Sequence, residues 1–124
     1  MKAIHSNDYR MYILVNQDIK ISKGKLAGQV GHAVMSYLYN RVIQPLQEGK
    51  ECEDITDYMN NDQKKIILKC PQSKLEELEK ETNWIVIRDL GYTQLEPNTL
   101  TCINCGILTK DDVPDWMKEL KLYN

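Results

Sequence analysis

No apolar run in this 124-residue chain approaches the roughly 20 residues that a membrane-spanning helix needs. The stretch from Met1 to Arg10 lacks the continuous apolar core of a secretion signal, so the expected location is the cytoplasm. Histidine is scarce, with two residues, and the four cysteines (Cys52, Cys70, Cys102, Cys105) contain one C-x-x-C pair, Cys102 and Cys105. A zinc centre needs about four ligands, and neither a second such pair nor a histidine pair completes this one. If 100–108 is a strand, side chains three apart point to opposite faces, which argues further against a shared metal. Without a signal the thiols read as reduced rather than as a disulfide frame. G-x-S-x-G, P-loop and H-E-x-x-H patterns are absent, as are repeats and low-complexity tracts. An excess of basic charge is missing too: 16 Lys and Arg stand against 18 Asp and Glu, for a net charge of −2. A nucleic-acid partner would therefore have to meet a local basic patch.

What is present is the composition of an ordinary water-exposed domain, 42% hydrophobic and 27% charged. The length fits one domain with a core of its own, expected over 11–124 behind a loose tail at 1–10. Residues 11–17 are nearly all apolar, which suits a strand covered on both faces. Ser22 is a good N-cap for the longest helical pattern. In that pattern Leu26, Val30, Ala33, Val34, Tyr37 and Leu38 recur at helical spacing, with Arg41 at the polar end of the stripe. Gly28 and Gly31 weaken a helix interior, and close packing on the sheet would account for them. Pro45 and Gly49 are expected to end the helix. A short helix near 54–60 lies in an acidic connecting segment. Further strands are expected at 64–70, 84–89 and 100–108. Ser73 should cap a helix over 73–82, and Asp111 or Asp112 a last helix with Pro114 in its first turn. Strand alternating with helix predicts β-α-β units, with an antiparallel partner for the strand that follows the short last link. Ligands of such sheets bind beyond the carboxyl ends of the parallel strands.

Two stretches lie there. The first is Lys23-Gly24-Lys25 at the helix start, where unpaired N–H groups and lysines favour an anion. Lys25, Gln29 and His32 follow at spacings of four and three, along one side of the helix. They suit either a site or, more blandly, solvated lysines, a buried amide and a packed histidine. The second is Asp89-Leu90-Gly91-Tyr92-Thr93-Gln94. Here a strand-ending aspartate either caps a turn or, helped by Thr93, orients a water and accepts a proton. Lys20, Lys23, Lys25, Lys64, Lys65, Lys69 and Arg88 are the material for a basic patch.

Taken together the two stretches resemble the peptidyl-tRNA hydrolase family of the archaeal and eukaryotic type. Lys23, Gly24, Lys25, Leu26, Ala27, Gln29, His32 and Ala33 match its first motif. Asp89, Gly91, Thr93, Gln94, Leu95 and Pro97 match its second. The likeness runs from about Met11 to Tyr123. It departs at Tyr92, where members commonly carry arginine, and at Gly106-Ile107-Leu108-Thr109, where they usually have a Gly-Pro-Gly-Pro-like turn. The resemblance implies an α/β fold, a three-layer α/β/α arrangement around a four-stranded mixed, mostly parallel sheet. It implies hydrolysis of the ester in peptidyl-tRNA with no metal or organic cofactor, by a homodimer. It implies Lys25, Asp89 and Thr93 as catalytic residues, with Gln29, His32 and Thr101 supporting them. Lys20, Lys23, Lys64 and Lys65 are then the candidates for contact with tRNA. A non-catalytic member that binds tRNA or a protein is the competing expectation.

Overall fold

The computed structural model describes residues 8–91 and 95–124. In chain order the elements are β1 (Arg10–Asn16), α1 (Lys23–Leu38), α2 (Gln44–Gln47), α3 (Thr56–Met59), β2 (Lys65–Cys70), α4 (Gln72–Glu81), β3 (Ile85–Arg88), β4 (Leu100–Leu108) and α5 (Asp115–Lys118). The sheet order is β2-β1-β4-β3. β1 pairs in parallel with β2, while β4 is antiparallel to both β1 and β3. Three strands run one way, and the sheet is mixed as expected, though not mostly parallel in its pairings. Only one pairing is parallel, because the reversed strand β4 inserts between β1 and β3. None of the described helices is long and apolar enough to cross a membrane.

Alternation along β1 splits the core into two layers. Met11, Ile13 and Val15 face α1, together with Ala33, Tyr37, Tyr58 and Cys102. Tyr12 and Leu14 face the other way, toward Leu75 and Leu78 of α4 and Met117 of α5. Cys102 lies in the first layer and Cys105, with Cys70, in the second, so the C-x-x-C pair straddles the sheet.

Ser22 caps α1, accepting a hydrogen bond from the Lys25 N–H at 3.2 Å. Pro45 does not end the helix. The chain passes through a π turn at Tyr39–Ile43 and continues as α2, with proline in its first turn. Proline has no N–H to give the Arg41 carbonyl four residues back, and Glu53 N–H takes its place at 3.1 Å. Gly28 and Gly31 are not packing sites: both are exposed, and an added Cβ at either would meet nothing within 4 Å. Ser73 is not a cap. α4 starts at Gln72, whose N–H donates to Asp18 Oδ2 at 2.8 Å. Asp111 and Asp112 fall in a 3₁₀ turn, and Pro114 occupies the cap position of α5.

β4 carries an irregularity opposite Tyr12 and Ile13. There Gly106 has a φ of +89°, and a Cβ would lie 3.1 Å from the Tyr37 ring. Glycine alone meets both demands without strain. Asn104 holds the place: its Oδ1 accepts from Gly106 N–H at 2.7 Å, and its Nδ2 donates to the Ala33 carbonyl of α1 at 3.0 Å.

Candidate active site

β1 and β3 end on the same edge of the sheet, on either side of the start of β4. The loop leaving β1 is anchored by buried Asn16, whose Nδ2 donates to the Leu100 carbonyl at 2.8 Å and to Gln72 Oε1 at 3.2 Å. Its Oδ1 accepts from Asp18 N–H at 2.9 Å, and Asp18 in turn caps α4. This double clamp sets where α1 begins, and Lys25 sits in the first turn of α1.

Asp89 is fixed independently. Its N–H donates to the Thr99 carbonyl at 2.8 Å, and its carbonyl accepts from Asn98 N–H at 2.7 Å. The chain then turns at Gly91, with a φ of +85°; a side chain there would strike Pro97, whose Cγ is 2.8 Å from an added Cβ. Gly91 N–H donates to Asp89 Oδ2 at 2.9 Å. Lys25 Nζ reaches Asp89 Oδ1 at 2.6 Å. The Lys25 side chain is 17% exposed and that of Asp89 4%, so the pair faces solvent from the lysine side. The hydrogen bond from Lys25 holds the Asp89 carboxyl below its ordinary pKa, against the opposing effect of burial. Gly91 N–H and the charges of Lys25 and His32 add to the lowering.

Gln29, one turn along from Lys25, is 5% exposed. Thr101 Oγ1 lies 2.7 Å from its Oε1 and 3.1 Å from the Ile87 carbonyl. The amide is thus both a buried polar group and a support beneath the ion pair. His32 is exposed, not packed. It lines an open cleft of about 420 Å³ together with Lys25, Gln29, Ser36, Asp89 and the residues of β3 beside them. Ser36, Val86 and Ile87 were not among the expected residues, although Ser36 continues the same spacing four residues after His32. Thr93 lies outside the described residues.

The lysines divide. Lys23 opens α1 beside the cleft, and Lys20 precedes it in the loop from β1; both are exposed. Lys65 pairs with Met11 at the amino end of β2. That places it about 16 Å along the sheet from the cleft edge, at roughly 3.3 Å per residue over five residues. Its ammonium lies 5.4 Å from the Tyr58 ring centre, and Lys64 pairs with Asp62 at 3.8 Å. Arg88 is held by Glu79 at 2.6 Å and by the Asn98 carbonyl at 2.7 Å. Among the described residues, one continuous basic patch is therefore not formed.

Fold and cleft define a small three-layer α/β protein whose polar site lies beyond the carboxyl ends of its co-directional strands. Residues 9–123 match the model of the family described as Peptidyl-tRNA hydrolase PTH2, and the chain belongs to that family. A relative from Methanococcus vannielii named peptidyl-tRNA hydrolase is 35% identical over 121 residues, 92% of this chain and 98% of that protein. One from Thermoplasma volcanium, with the same name, is 36% identical over 103 residues, 78% of this chain and 83% of its own length. A third so named, from Sulfolobus acidocaldarius, is 33% identical over 121 residues, covering 91% and 98%.

Proposed function

We propose that this chain is a peptidyl-tRNA hydrolase, releasing free tRNA and peptide by hydrolysis of the ester that joins them. The observation that carries the reading is the Lys25–Asp89 pair at 2.6 Å, facing an open cleft at the sheet edge. Family membership supplies the substrate.

Ester hydrolysis needs a placed water, a group to steady the developing oxyanion and a relay for a proton. Asp89 stays ionised and accepts from Gly91 N–H and Lys25, which leaves lone pairs free to orient a water. Lys25 is the half-buried cation at the centre of the site and serves the oxyanion or the adjoining phosphate. Gln29 and Thr101 hold the floor beneath Lys25, and His32 forms the wall. Thr93 we assign a positioning hydrogen bond on the strength of the family motif. Lys20 and Lys23 stand where the acceptor end of the tRNA would enter. Lys64 and Lys65 would meet a more distant part of the same RNA. The family resemblance further supports a homodimer acting in the cytoplasm without metal or organic cofactor, as a single domain over 11–124.

The test is release of free tRNA from an N-acetyl-aminoacyl-tRNA, followed with purified protein in the presence of a chelator. Steady multiple turnover is expected. Tight binding without release would instead make the chain a tRNA-binding module.

A further inference from the structure

β3 is the last strand of the sheet, and among the described residues nothing pairs with its outer edge. Asp89, one residue past β3, turns its N–H and carbonyl toward β4, to Thr99 and Asn98. The Ile87 carbonyl also lies on that side, 3.1 Å from Thr101 Oγ1. Main-chain groups alternate in direction along an antiparallel edge. Val86 and Arg88 therefore aim their N–H and carbonyl groups outward. The Arg88 side chain does not cover them, since it is tied to Glu79 and Asn98.

That open edge is one wall of the cleft, and the polar side of α1 (Gln29, His32, Ser36) is the other. The cleft begins at the Lys25–Asp89 pair and runs back beside β3. We infer that the peptide part of the substrate binds here as an added strand, parallel to β3, with its esterified carboxyl end at Asp89. This rests on the hydrolase reading, which ties one end of the peptide to the ion pair. From Asp89 back to Val86 is about 10 Å, enough for roughly three peptide residues at about 3.3 Å each. Pairing through main-chain atoms reads a peptide without reading its side chains, which suits a substrate whose sequence varies from one molecule to the next.

The test is a set of N-acetyl-tripeptidyl-tRNAs, N-methylated in turn at each peptide nitrogen and compared with the unmethylated parent. Methylation should lower kcat/KM about three- to tenfold where a paired N–H is removed, and by less than about twofold at the neighbouring position. That alternation is the signature of a strand and would not arise from general crowding. A flat series, all within about twofold of the parent, overturns the inference while leaving the hydrolase reading intact; a second copy of the chain seated on this edge would give that result. No release from any substrate, the parent included, overturns the hydrolase reading and this inference with it.

Discussion

Asp89→Asn is expected to lower the rate of tRNA release on the order of 10²-fold or more, with the far-UV circular dichroism unchanged. Asparagine keeps the shape of the side chain and its acceptor toward Gly91 N–H. It loses the charge that holds Lys25 at 2.6 Å and the second acceptor that orients a water. Lys25→Ala should cost about as much, by removing the cation that meets the oxyanion. Because the two groups act as one unit, the double variant should be no slower than the worse single one. Multiplicative losses would mean that the two serve separate steps. The pH profile carries the same information. The folded pKa of Asp89 is depressed, so its ionised form persists below the ordinary carboxylate range. The stabilisation from the pair is present above the unfolded pKa and is lost only as pH falls through the depressed folded value. The acid limb of the rate should accordingly lie below that range, and a limb at the ordinary aspartate pKa would contradict the pairing.

The second large effect is on stability. Asn104→Ala should destabilise the protein by about 2–3 kcal/mol, read as a fall in denaturation midpoint at unchanged m-value. The residue is 1% exposed. Its amide joins the α1 carbonyl of Ala33 to the Gly106 N–H in the irregular part of β4. Alanine leaves that N–H buried without an acceptor, and a buried unpaired donor costs more than an ordinary hydrogen bond contributes. A loss under about 0.5 kcal/mol would show that water reaches the site.

The meeting of Lys25 and Asp89 was legible in the sequence, because both follow the carboxyl ends of strands that run the same way, where sites of such sheets lie. The facing of α1 was legible too: of its apolar stripe, Ala33 and Tyr37 are fully covered and Leu26, Val30 and Val34 are half-buried against the same core. What the stripe did not show is the partner of Gln29, which is covered beside them. That partner is Thr101, 72 residues away, whose hydroxyl meets the buried Gln29 amide. No local pattern encodes that contact. Gly28 and Gly31 lie in the open although close packing on the sheet was expected of them, and His32 lines the cleft. Pro45 misled for a different reason. Proline ends a helix unless another group takes over the orphaned carbonyl, and Glu53 does so here from beyond the next turn. Lys64 and Lys65 fell at the far end because charge counted along a chain carries no information about which edge of a sheet it occupies.

The distribution of thiols also makes the protein its own labelling chemistry. Cys52 is exposed on the segment between α2 and α3, while Cys70, Cys102 and Cys105 are buried. Burial pushes the Cys70 thiol up to about 11 and that of Cys102 up to about 12, and raises Cys105 as well. Thiolate is the reactive form. A maleimide dye added to the native protein should therefore couple at one site, and three further equivalents should react only as the sheet comes apart. A fluorophore placed in this way reports global unfolding with no engineered cysteine.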